Sequence, residues 1–176
     1  FEHADWGVVI GSAEATPLEI MNPAFARMYG YTVEELKGRS IESLYSPADR
    51  PKLAGWIHEA HQKGHINYEA NHIRKDGTIF PVSVDITAVK DSNNKVLYRV
   101  VNVQDITQRK QMEQALRTSE RRSAAIISTL DEGVVFHDAN GVITLCNSSA
   151  ERILGLTADQ IMGRKSIDPR WKSIHE

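Results

Sequence analysis

Hydrophobic residues change their period along this chain, and the changes mark out its elements. Short apolar runs from Trp6 to Ile10 and from Pro17 to Met21 flank a polar, turn-prone stretch, which predicts two paired strands. Asn22 then suits an N-cap and Pro23 a first helical position, so a short helix follows and ends at Gly30. Thr32, with Glu35 three residues on, has the spacing of a capping box for a second helix, closed by Gly38. Ser46-Pro47-Ala48-Asp49 combines cap, proline and acid again. It opens a longer helix with Leu53, Trp56, Ile57 and Ala60 on one face, and Gly64 stops it. From Ile66 the period becomes two. Tyr68 to Arg74, the turn Lys75-Asp76-Gly77-Thr78 and Ile79 to Val89 predict a hairpin, and Val96 to Gln104 a last strand. Strands, short helices and then a three-stranded meander make an α+β fold with an antiparallel sheet.

The opening pattern occurs twice. Asn22 to Arg39 aligns without gaps onto Asn147 to Arg164, with six of 18 positions identical, and Gly7-Val-Val-Ile10 pairs with Gly133-Val-Val-Phe136 after a one-residue slip. The expected organisation is a domain over 1–106, a helical linker over 107–130, and the N-terminal part of a second, similar domain over 131–176.

Gln108 to Leu130 contains neither Gly nor Pro and reads as one helix about 35 Å long. Met112, Leu116, Ser119, Ser123, Ile126 and Leu130 are spaced 4-3-4-3-4, a coiled-coil seam that its two serines weaken. A stripe that packs only on its own domains would have the same spacing.

Composition narrows the function. A net charge of −2 and 25% charged residues give no electrostatic case for nucleic acid or an anionic membrane. No apolar run approaches the roughly 20 residues that cross a bilayer, so direct membrane contact is not expected. The lone Cys146 permits no internal disulfide, which suits a reducing, cytoplasmic setting. The start, Phe-Glu-His-Ala-Asp-Trp, has neither Met nor a signal-peptide pattern and reads as a cut from a longer protein. No nucleophile elbow, phosphate loop or catalytic carboxylate pair is present, so a catalyst is the least favoured reading.

Three stretches carry a family resemblance: Asn22-Pro-Ala-Phe with Tyr29 to Arg39, Ile73-Arg-Lys-Asp-Gly-Thr-Ile-Phe-Pro-Val82, and Val103-Gln-Asp-Ile-Thr-Gln-Arg-Lys110. In this order the chain resembles a PAS domain with its C-terminal PAC segment, followed by the start of a second. The resemblance implies a five-stranded sheet with short helices on one face and a cavity between them. It also implies an output domain elsewhere in the chain, of histidine kinase or cyclic-dinucleotide type. Glu35 and Lys75 match positions that pair as a surface salt bridge in the family, and Asp105 and Thr107 match its strand-to-helix junction.

In the flavin-binding, light-sensing subfamily the reactive cysteine would fall at Ile41. The flavin-contacting polar positions would fall at His72, Val82 and Val103, so blue-light photochemistry is excluded. Haem is a weaker alternative to be weighed, with His65 or His61 as axial ligand. Zinc through His58 and His61 lacks further ligands, and no metal is expected. Alternation places Val82, Val84 and Ile86 toward the cavity from one strand, Val101 and Val103 from another, and His72 and Arg74 from the third, with Ile41, Trp56 and Ile57 closing it. Such a cavity suits a small organic molecule of unknown identity, and a filled core without ligand is the equal alternative. Asp105, Thr107, Met112, Leu116 and Ile126 are the expected relay. Tyr98, Val100, Asn102 and Gln104 are expected on the other face of the sheet, where the resemblance implies an N-terminal helix or a second subunit of a homodimer.

Overall fold

The computed structural model describes residues 6–13 and 17–165. The chain divides into two compact units, residues 1–111 and 112–176.

In the first unit β1 (Gly7–Ser12) pairs with β2 (Ile20–Met21), and α1 (Pro23–Met28) and α2 (Val33–Leu36) follow. After 3-10 turns at Ile41–Leu44 and Arg50–Lys52 come α3 (Leu53–Lys63), β3 (His65–Ile73), β4 (Ile79–Lys90) and β5 (Val96–Asp105). The sheet runs β2-β1-β5-β4-β3, antiparallel throughout. This is the expected α+β architecture: five antiparallel strands, with the core between their inner face and the short helices. Phe25, Tyr29 and Leu36 are fully buried there. Removing side chains of that size from water stabilises by about 1.5–3 kcal/mol each.

Two boundaries differ from the sequence pattern. The strand expected from Pro17 shrinks to Ile20–Met21, because Leu18 is engaged elsewhere. Its N–H donates to the Arg39 carbonyl and its carbonyl accepts from Gly38, both at 2.8 Å. The long helix starts at Leu53, not at Ser46. Pro51 has no N–H to donate, and the backbone passes through a 3-10 turn before α3 begins. Asp49 is thereby freed from helix capping, and its carboxylate accepts from the Asn71 N–H at 2.8 Å, tying this segment to β3.

Capping chemistry follows the sequence closely. The Asn22 side chain accepts from the Phe25 N–H, and Thr32 and Glu35 form the reciprocal box. Gly64 ends α3 in the left-handed region at φ 83°, where a Cβ would be strained. After β5 the chain enters α4 (Thr107–Thr129), none of whose residues is buried.

The second unit contains the rest of α4, a two-stranded sheet of β6 (Val135–His137) and β7 (Ile143–Cys146), then α5 (Ser148–Leu154) and α6 (Ala158–Ile161). No described helix is long and apolar enough to cross a membrane.

Candidate functional site

Register determines which side chains meet inside the first unit. Val9 pairs with Val101 and Val101 with Ile86, so these three form one row on the inner face. The next row toward one end of the sheet brings Gly11, Arg99 and Ala88 together. Between these rows, α3 and the segment around Ile41 lies a cavity of about 50 Å³. Gly11 lies beside Arg99 on this wall: a Cβ built there would stand at ordinary contact distance, 3.5 Å, from the guanidinium.

Six of the ten expected positions line the cavity: Ile41, Ile57, His72, Ile86, Val101 and Val103. Val82 and Val84 do face inward, but they are wholly buried in filled core beyond the cavity wall. Trp56 lies flat on Tyr68, ring centroids 4.1 Å apart and planes within 16°, and so seals the core without reaching the cavity. Arg74 lies just past the end of β3, where strand alternation no longer applies. It turns to the sheet end, donates to the Met28 carbonyl and to Asp105, and covers the Phe80 ring.

Sequence reasoning passed over Tyr29, Tyr45 and Arg99. Arg99 is only 7% exposed although it carries a formal charge. Its signal was present: it shares the strand face of Val101 and Val103, so alternation alone turns it inward. Tyr29 and Tyr45 stood beside turn residues, where periodicity says nothing about direction.

His72 is 1% exposed and sits 4.0 Å, centroid to centroid, from the Tyr45 ring. Its Nδ1 meets the Tyr29 hydroxyl at 2.5 Å, and its buried Nε2 has no hydrogen-bond partner. Burial drives the His72 pKa down to about 3, with Asp49 opposing, so the ring is neutral at ordinary pH. Burial likewise holds the Tyr29 and Tyr45 hydroxyls well above the usual phenol range. Tyr68, pushed up to about 12 chiefly by burial, meets the Tyr45 hydroxyl at 2.8 Å.

A second cluster joins sheet to helix. Asp105 accepts from the Thr107 N–H at 2.8 Å and from Arg74. Burial raises its pKa, but these hydrogen bonds outweigh that and hold the carboxyl below its ordinary value. Glu69, on the outer face of β3, accepts from Arg109 and Lys110 at 2.6 Å each. The first turn of α4 is thus tied to β3 as well as to β5. Farther along α4, Met112, Leu116 and Ile126 are 59, 62 and 53% exposed.

The histidines weighed as haem ligands lie elsewhere. The side chain of His65 is more than half exposed, and its Nε2 sits 2.7 Å from Asp85. Strand alternation turns it to the outer face, which corrects its expected place beside the cavity. His61 lowers its pKa through burial at the end of α3 but does not line the cavity either. A cavity of about 50 Å³ is also far too small for a porphyrin. The residues present therefore do not fit haem. Among the described residues no three His, Cys, Asp or Glu side chains cluster as metal ligands would. The expected surface pair does form, Lys75 to Glu35 at 2.5 Å.

Residues 6–108 match the family model described as PAS domain, and residues 109–176 the one described as PAS fold. A sensor histidine kinase, TmoS of Ectopseudomonas mendocina, is 26% identical over 94% of this chain, which spans 18% of the kinase. A blue-light-activated histidine kinase of Brucella anthropi is 24% identical over 82% of the chain, which spans 32% of that protein. Among solved structures, a PAS domain from Colwellia psychrerythraea superposes with a TM-score of 0.57 at 20% identity, over 61% of this chain and 92% of that one.

Proposed function

The chain belongs to the PAS family of sensory domains, and from that premise we propose that its first unit senses a small molecule and passes the signal through α4 to an output domain. The observation that carries this reading is the mostly apolar cavity with His72 and Arg99 in its wall. Its volume, about 50 Å³, is roughly a third of the ~150 Å³ that admits benzene in an engineered core. The occupant is accordingly a molecule of a few heavy atoms. Val101 and Val103 touch the cavity from β5, and the same strand ends in Asp105, the junction with α4. Only Gln104 separates Val103 in the cavity wall from that junction, so an occupant that shifts β5 shifts the start of the helix. Catalysis belongs to the output domain, in keeping with relatives that are kinases several times longer than this chain.

The output side of this reading uses a second copy. Met112, Leu116, Ile126 and Leu130 are exposed at coiled-coil spacing, and pairing two α4 helices in parallel would bury them. The serines at 119 and 123 keep that seam weak, so a small change at the junction can alter its register.

Native mass spectrometry of the chain purified from its own host tests both halves. A small adduct on a two-subunit particle is the expected spectrum. A bare dimer, with no change in thermal stability across a metabolite panel, would instead support a ligand-free dimerisation scaffold, and a bare monomer would overturn both halves.

A further inference from the structure

The last turn of α4 is closed by side chains of the second unit, carbonyl by carbonyl. A helix leaves its final four carbonyls without partners inside it, and the residues that follow this one, Leu130-Asp131-Glu132, include no glycine to close it. Thr129 serves one carbonyl itself, its hydroxyl donating to Ile126 at 3.0 Å. Three consecutive side chains at the start of α5 serve others. Asn147 Nδ2 donates to the Ile127 carbonyl at 2.9 Å, Ser148 Oγ to Ser128 at 3.4 Å and Ser149 Oγ to Leu130 at 2.6 Å. We propose that this Asn147-Ser148-Ser149 turn is where α4 acts on the second unit: a clamp on the end of the helix that delivers any displacement of it to the strands and helices behind.

Ser149 is the firmest of the three and is 1% exposed. The Arg152 guanidinium donates to its Oγ at 2.7 Å. A guanidinium cannot accept, so the single O–H of Ser149 is left for the Leu130 carbonyl. Asn147 joins the clamp to the stitch of the domain. Its Nδ2 holds the Ile127 and Glu132 carbonyls, while its Oδ1 accepts from the Val134 and Ala150 N–H groups. One side chain thus ties α4 to the entry of β6 and to the first turn of α5. The fold itself does not require the serines. Pro23 and Ala24 stand at their positions in the first unit, with Arg27 at that of Arg152.

The other end of α4 is held as well, by Asp105 on the Thr107 N–H and by Glu69 on Arg109 and Lys110. No residue of the helix is buried. A rod anchored at both ends and free along its length passes a displacement on instead of absorbing it.

Hydrogen exchange read residue by residue by NMR on the full 176-residue chain is the test, with α4 perturbed directly so that the cavity plays no part. Ala124→Gly, at an exposed position just before the clamp, is expected to speed exchange across residues 125–130 about fivefold, the factor that glycine's cost inside a helix implies. Exchange at Val134 and Ala150 is expected to rise with it. Ser149→Ala puts into the turn the residue that the first unit carries there, so it is expected to fold. In that background Ala124→Gly is expected to speed residues 125–130 as before, but Val134 and Ala150 by less than half as much. Coupling through a clamp is reciprocal, so Arg152→Met, on the exposed side of α5, is expected to speed residues 125–130 severalfold. That variant decides should Ser149→Ala fail to fold. Unchanged exchange at Val134 and Ala150 in Ala124→Gly, a response equally large without the Ser149 hydroxyl, or unchanged residues 125–130 in Arg152→Met would each overturn the clamp. None of these results bears on the cavity as a ligand site.

Discussion

The first and second units open with the same device, and comparing them separates what starts this fold from what completes it. In the first, Asn22 Oδ1 accepts from the Val8 and Phe25 N–H groups, stitching β1 to α1. In the second, Asn147 Oδ1 accepts from Val134 and Ala150 in the same way. Gly7 lies against the backbone of Phe25, where a Cβ would come within 3.0 Å of its Cα, and Gly133 lies against Ala150 with 3.1 Å in the equivalent place. Even the pair of backbone bonds that shortens β2 returns, between Ile143 and residues 163 and 164.

What differs is the next layer. Tyr29 is fully buried against Phe25, Phe80 and His72, whereas its counterpart Leu154 is 42% exposed. Phe80 and His72 come from the meander, which the described part of the second unit lacks. The Asn–Gly stitch is therefore local, confined to the segments from Gly7 to Phe25 and from Gly133 to Ala150, while the cavity needs strands that arrive later in sequence.

The largest effect expected from breaking this comparison is at the stitch. Asn22→Ala leaves the buried Val8 N–H and the Trp6 carbonyl without their side-chain partner, and the Phe25 N–H with only the Asn22 backbone carbonyl, and is expected to cost the first unit about 2–3 kcal/mol in urea unfolding. Asn147→Ala is expected to leave that same transition unmoved. A smaller loss, about 1–3 kcal/mol of overpacking, is expected for Gly7→Ala, because the new methyl meets backbone as well as ring. Gly133→Ala, with looser contacts, should cost the second unit less.

The smallest effect is a difference in pH response. His72 has a folded pKa near 3 against 6.5 for a free histidine, so below pH 6.5 the unfolded chain binds a proton that the folded chain refuses. Its contribution is fully present above pH 6.5 and is lost as pH falls from there toward about 3. Comparing denaturation of wild type and His72→Gln between these limits, wild type should lose up to about 1.4 kcal/mol more per pH unit. The described residues of the second unit include no counterpart of the strand that carries His72, and its transition should not share this slope.

Much of the fold was legible because its signals are local. Asn22, Thr32, Glu35 and Gly64 act on neighbours within a few residues, and strand alternation correctly turned Ile86, Val101, Val103 and His72 inward. The site was less legible because a cavity depends on where packing fails to fill space. Val82 and Ile86 look alike in sequence, yet one fills core and the other borders a void walled by residues from several other elements. Arg74 was misplaced for a related reason: it follows the last paired residue of β3, and beyond a ladder's end the period of two has no force. Arg99 was readable from alternation, but an inward arginine runs against the usual apolar stripe and drew no attention.

The coupling of cavity to helix is the point on which the sensory reading turns, and hydrogen exchange measured by mass spectrometry tests it without needing to know the ligand. Ile86→Phe places a permanent occupant in the cavity. Exchange is expected to change not only in β4 and β5 but across Ile106 to Gln111, at the start of α4. Altered exchange around residue 86 with unchanged rates from Ile106 onward would show that β5 does not carry the signal.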